Sequence, residues 1–152
     1  MFEVLVYLFE NYFEADIHPD QDTLERELSA AGFDQEDIES AFDWFSTLEH
    51  MTREHDADTG YESAGLRIYV EEENRKISAE GRSFLMFMEQ AGVLQASQRE
   101  LVIDRAMALP DTTVTLEKTK WIVLMSLWKQ DKANDYLFIA DAIFGDEHPT
   151  LH

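Results

Sequence analysis

At 152 residues, 45% of them apolar and none of them cysteine, the chain can build one hydrophobic core, and it carries no disulfide, thiolate metal site or cysteine nucleophile. Its net charge of −20 is uneven: residues 1–76 hold 21 Asp and Glu against 5 Lys and Arg, and the remainder hold 11 against 7. Such a field repels phosphate and anionic lipid and argues against autonomous nucleic-acid or membrane binding; a solvated face, a basic protein partner or a high-salt habitat would each account for it.

Phe2, Leu5, Val6, Phe9, Tyr12 and Phe13 recur at spacings of three and four, which predicts an amphipathic helix over the first fourteen residues. The apolar opening contains Glu3 and Glu10 and has neither a basic leader nor a small-residue cleavage site, so it does not read as a signal peptide and a cytoplasmic location is expected. After Pro19, Asp22-Thr23-Leu24-Glu25 has capping-box spacing and opens a second helix that Gly32 stops. Asp34 is placed to cap a third, with Ile38, Ala41, Phe42, Phe45 and Leu48 facing inward and Trp44 off that stripe.

These two helices, joined by Ala31-Gly32-Phe33-Asp34, form a helix-turn-helix-like unit. The outward residues of the second are acidic, including Glu36, Asp37, Glu39 and Asp43, where a major-groove reader needs Arg, Lys, Asn or Gln. DNA would expel that helix, so the four carboxylates are candidate residues for recognising a protein instead.

Residues 49–65 lack a sustained period and read as one long flexible loop. The loop holds His50, Glu54, His55, Asp56 and Asp58, but the histidine spacing is wrong for one helix face. Its calcium-loop-like start also fails, with Tyr61 at the sharp-turn glycine and Arg67 at the bidentate glutamate, so no metal site is expected. Leu66-Arg67-Ile68-Tyr69-Val70 alternates and is the best strand candidate, followed by a brief helix from Glu71 to Lys76. Ile77-Ser78-Ala79-Glu80-Gly81 then leads into a helix carrying Phe84, Leu85, Phe87, Met88 and Ala91, closed by Gly92. Strand, turn and this helix start resemble the exit from the wing of winged-helix regulators, with Arg67, Arg75, Lys76 and Arg82 as a candidate basic strip.

Gln98 to Leu109 reads as the next helix, stopped by Pro110 and turning Leu101, Val102, Ala106 and Leu109 inward. Behind Thr115, Leu116 to Lys129 is apolar on every face around Trp121-Ile122-Val123-Leu124-Met125-Ser126-Leu127-Trp128. A helix apolar all round is a buried helix, and at roughly 20 Å it is too short to cross a bilayer. Tyr136, Ile139, Ala140, Ile143 and Phe144 predict a last helix before a polar tail.

Several phrases resemble the Smg family of bacterial proteins: Met1-Phe2-Glu3-Val4-Leu5-Val6-Tyr7-Leu8-Phe9-Glu10, Ala31-Gly32-Phe33 with Glu36-Asp37-Ile38, Leu66-Arg67-Ile68-Tyr69, Ser83-Phe84-Leu85-Met86-Phe87-Met88-Glu89-Gln90, Arg99-Glu100-Leu101-Val102-Ile103-Asp104-Arg105, Lys120-Trp121-Ile122-Val123-Leu124-Met125 and the terminal Leu151-His152. The resemblance spans nearly the whole chain, with departures at Val70-Glu71 and after Trp128. It implies a helical protein of this size, of uncharacterised function and without catalytic residues to transfer. Family genes lie near those of a DNA-processing protein and a topoisomerase-like zinc protein, an association that implies a link to DNA metabolism.

The expectation is a mainly all-α protein forming one domain over 1–152. It comprises six to seven helices, with the N-terminal helices, including the helix-turn-helix-like pair, at residues 1–48, the loop at 49–65, a strand plus helical core at 66–145 and a tail at 146–152. There is no phosphate loop, His-Glu-x-x-His or nucleophile elbow, and the five histidines fall outside the aromatic helices. A non-catalytic adaptor without cofactor or metal is therefore expected, docking on a protein partner through Glu36, Asp37, Glu39 and Asp43. The alternative is a nucleic-acid-associated regulator using Arg67, Arg75, Lys76 and Arg82.

Overall fold

The structure, a computed structural model, describes residues 1–13, 20–57 and 67–129. Within them seven α-helices form one compact domain, and no strand is present. α1 (Phe2–Leu8) continues into a π-helical turn, Phe9–Phe13, where the sequence predicts an unbroken α-helix. Among the side chains described there, Phe2, Val4, Leu5, Leu8 and Phe9 are buried and Val6 of the predicted stripe is half-buried, while the side chains of Tyr12 and Phe13 lie outside the described ones.

α2 (Gln21–Ala30) starts two residues earlier than its capping sequence suggests. Asp20, not Asp22, is the cap: its Oδ1 accepts from the Thr23 amide at 2.8 Å, and bonding from Thr23 holds its carboxyl below the usual range. Gly32, at φ +100°, closes the helix, with the Gly32 amide on Ser29 O and the Phe33 amide on Leu28 O. These are the two bonds of a Schellman ending, which needs a left-handed residue. Gly92, at φ +79°, ends α5 (Ala79–Gln90) in the same way.

α3 (Gln35–Ala57) begins directly after Asp34 but runs through residues 49–57, where the sequence reads as loop. The helix persists because Leu48 and Thr52 stay buried and the Thr52 hydroxyl donates to Leu48 O at 2.8 Å. Trp44 is also buried, contrary to the expected stripe. It reaches across to α6 (Ala96–Met107), donating from Nε1 to Arg105 O at 2.9 Å.

Arg67–Val70 forms no strand; the chain passes irregularly into α4 (Glu71–Lys76). The predicted alternation is real, with Ile68 and Val70 outward and Arg67 and Tyr69 half-buried, but among the described residues no strand pairs with it. The sole β-type pairing among the described residues is an isolated parallel bridge between Ile77 and Val114. There Ser78 N donates to Val114 O, and Val114 N to Lys76 O.

α7 (Leu116–Lys129) has the predicted bounds, and every residue from Trp121 to Leu127 is buried. It packs against α3, α5 and α6, with Phe9 edge-on to Trp121 at 6.2 Å. Gly81 permits the α5–α7 approach, since a Cβ there would lie 2.8 Å from Thr119 Oγ1. The last predicted helix, around Tyr136 to Phe144, lies outside the described residues.

Candidate functional site

Among the described residues, three places on the surface concern the residues the sequence singles out. The first is the outer face of α3, where Glu36, Glu39 and Asp43 are exposed. Glu39 accepts from Gln35 one turn earlier, and Asp37 lies 3.5 Å from the N-terminal amine. The face is thus helical, solvated and strongly negative, with Asp37 partly committed to holding the start of α1.

Beside it runs a groove between α3 and α6, lined by Met1, Ser40, Asp43, Trp44, Thr47 and Arg105. Arg105 is buried, with its guanidinium 5.6 Å from the centre of the Trp44 ring, its Nη1 on Trp44 O and its Nη2 on Asp104 at 2.7 Å. Together with the Trp44 Nε1 bond, this clamps α3 to α6 through two reciprocal side-chain-to-backbone contacts. The arginine is a structural cross-link.

The third place surrounds Arg67. Its guanidinium donates from Nε and Nη2 to Glu100 at 2.9 and 3.1 Å, and from Nη2 to Glu73 at 3.0 Å, joining α4 to α6. Arg99, whose side chain is only 4% exposed, donates from Nε to Glu100 at 2.8 Å and from Nη1 to Glu89 on α5 at 2.7 Å. Two arginines and three carboxylates therefore fasten three helices.

Donation from Arg67 holds the Glu73 carboxyl below its ordinary range. For Glu100, burial is the largest influence and pushes upward, but the bonds from Arg67 and Arg99 together outweigh it and the net direction is down. Tyr69, whose ring lies 4.9 Å from the Arg67 guanidinium, has its phenol pushed up by burial.

The four residues of the basic strip are not assembled as a free cationic surface. Arg67 is held by Glu73 and Glu100, and Arg75 pairs with Glu71 one turn away. Lys76 donates to the carbonyls of Met107 and Leu109 at the end of α6, and Arg82 to Ile77 O and Asn74 Oδ1. The sequence shows the cations but not these acceptors, several of which come from α6.

Of the loop residues, His50 lies on α3; the side chains of Glu54, His55 and Asp56, and all of Asp58, fall outside the described part. Among the described residues no three His, Asp or Glu side chains gather as metal ligands, and no helix is long and apolar enough to cross a membrane.

The whole chain, residues 1–152, matches the family model described as protein of unknown function (DUF494). It is 66% identical to the Protein Smg homolog of Methylobacillus flagellatus over 152 residues, covering all of both chains. The chain belongs to the Smg family. Smg homologs of Bordetella petrii and Azoarcus sp. are each 43% identical, again over the full length of both chains. No solved structure matches the chain. For an Smg protein the phrases that carry the resemblance fall mainly on α1, α5, α6 and α7 and on the Arg67 cluster. Arg67, Tyr69, Glu89, Arg99 and Glu100 all lie within them.

Proposed function

We propose that this protein is a non-catalytic adaptor that docks on a basic protein partner through the outer face of α3. The observation that carries this reading is the face itself, on which Glu36, Glu39 and Asp43 project into solvent from one rigid helix. A fixed array of like charges raises the encounter rate with a cationic surface and repels anionic competitors. Engagement of Arg67, Arg75, Lys76 and Arg82 by the protein's own acceptors speaks against direct nucleic-acid binding, so a role in DNA metabolism would run through a protein partner. Depressed carboxyls at Glu73 and Glu100 are ionised at neutral pH, which suits ion pairing and not proton transfer.

The test is capture from the native host at native expression level, with and without nuclease, using the wild type and a Glu36→Lys, Glu39→Lys, Asp43→Lys variant. Asp37 is kept because it holds the N-terminus. A stoichiometric protein that survives nuclease and is lost from the variant, at unchanged melting temperature, is expected. Equal capture by the variant would remove the proposed surface, and loss of all partners on nuclease treatment would favour nucleic acid.

A further inference from the structure

A small cavity of about 220 Å³ opens between the Arg67–Val70 segment and α5, next to the Arg67 cluster and using no residue of α3. Arg67, Tyr69, Arg82, Ser83, Met86 and Arg99 are among its walls. Among the described residues nothing accepts from Arg99 Nη2 or Arg82 Nη2: Arg99 uses Nε and Nη1, and Arg82 uses Nε and Nη1. The cavity wall therefore includes two arginines that each keep an unused Nη2, one of them on a side chain only 4% exposed, together with two hydroxyl-bearing residues, Tyr69 and Ser83. Glu89 also lies on the wall, but its carboxylate is taken by Arg99. Four large apolar side chains are exposed among the described residues: Met86 is on the cavity wall, and Ile68, Val70 and Phe87 each adjoin a wall residue in sequence. Ile68 is 88% exposed, Val70 59%, Met86 43% and Phe87 64%. Ile68 and Val70 alternate with the two inward residues of the segment, Met86 lines the cavity, and Phe87 lies one helical turn beyond Ser83.

Arginine donors on the wall, with apolar side chains on it or next to it in sequence, suit a ligand that carries an anionic group at the end of an apolar stretch. At about 220 Å³ the cavity falls below the roughly 300 Å³ where pockets for whole small molecules begin, yet it has room for one carboxylate and the side chain next to it. We infer that this cavity binds the free C-terminal carboxylate of a partner polypeptide whose last residues are apolar. The carboxylate meets Arg99 Nη2 and Arg82 Nη2, and the preceding side chains lie on Ile68, Val70, Met86 and Phe87. Capture of a chain terminus by clustered donors is a recurrent mode of peptide recognition, and guanidinium groups suit the planar carboxylate.

The test is an NMR titration of the full chain with acetyl-Ala-Val-Ala-Leu bearing a free carboxylate, with the same peptide as its C-terminal amide, and with inorganic phosphate. Saturable shifts at Ser83, Met86 and the Arg82 and Arg99 side chains are expected for the acid, weaker by about tenfold or more for the amide, which lacks the charge-assisted bonds. Met86→Glu places a carboxylate on the wall at a half-exposed position and should abolish the shifts while leaving the melting temperature unchanged. Equal response to acid and amide, response to phosphate alone, or retention of binding by the folded Met86→Glu protein would each overturn the assignment. No shift for any probe at millimolar concentration would do so too.

Discussion

Gly81 shows how much one missing methyl group can decide. A Cβ there would press on Thr119 Oγ1 at 2.8 Å and also lie 3.2 Å from Ser78 Oγ and 3.3 Å from Ile77 Cγ2, in the seam where α5 meets α7. Gly81→Ala should therefore destabilise by about 1–3 kcal/mol, despite alanine's better helix propensity, as read from urea midpoints at constant slope. The Arg67 cluster is the residue-scale origin of acid sensitivity. Glu73 and Glu100 have carboxyls depressed in the folded state, so the unfolded chain binds more protons as pH falls. Their contribution is present above the unfolded carboxyl range and lost as pH drops through the folded values. Arg67→Met should lower stability at pH 7 and flatten the dependence between about pH 5 and pH 3, measured by denaturant unfolding across that range.

At the scale of elements, the helices that depend on local signals are those the sequence reveals best. α7 could be bounded to the residue because its apolar run has no polar face, and α2 and α5 end at glycines whose positive φ no other residue adopts cheaply. Asp20 was hidden because Asp22 offers a competing cap two residues on. α3 was cut short because, past Leu48, its inward residues include Thr52, which satisfies its own hydroxyl on the helix backbone. The Trp44–Arg105 clamp was illegible since its partners lie 61 residues apart. Trp44→Phe should cost about 1–3 kcal/mol by leaving the Arg105 carbonyl without its donor, whereas Ser126→Ala should stay within about 0.5 kcal/mol. Ser126 bonds only to Ile122 O in its own helix, so its loss strands nothing. Thermal unfolding of the two variants side by side separates a bond between helices from one within a helix.

Across the whole molecule, charge and core pull in opposite directions. The net charge of −20 repels itself, while one hydrophobic cluster drawing on α1, α2, α3, α5, α6 and α7 holds the chain together. Raising sodium chloride from low to near-molar concentration should shift the urea midpoint upward, because screening relieves the long-range repulsion more than it weakens the pairs of half-buried Arg67 and buried Arg99. The candidate site was legible only by its members. The sequence displays Glu36, Asp37, Glu39 and Asp43 on a helix and Arg67, Arg75, Lys76 and Arg82 near a turn, but it cannot show that Glu36, Glu39 and Asp43 stay in solvent while Asp37 meets the N-terminal amine and the four cations are engaged.

The bridge between Ile77 and Val114 bears on how the molecule breathes. Ser78 and Val114 flank no regular sheet, and amides in such connections ordinarily trade their hydrogens with water within minutes. Here both amides are bonded, and Ile77 and Val114 are fully buried. Releasing them means separating the start of α5 from the approach to α7, an opening as large as loss of the core itself. In deuterium the two should be retained as long as the interior amides of α7, so the slowest-exchanging protons of this helical protein would include two that belong to no helix.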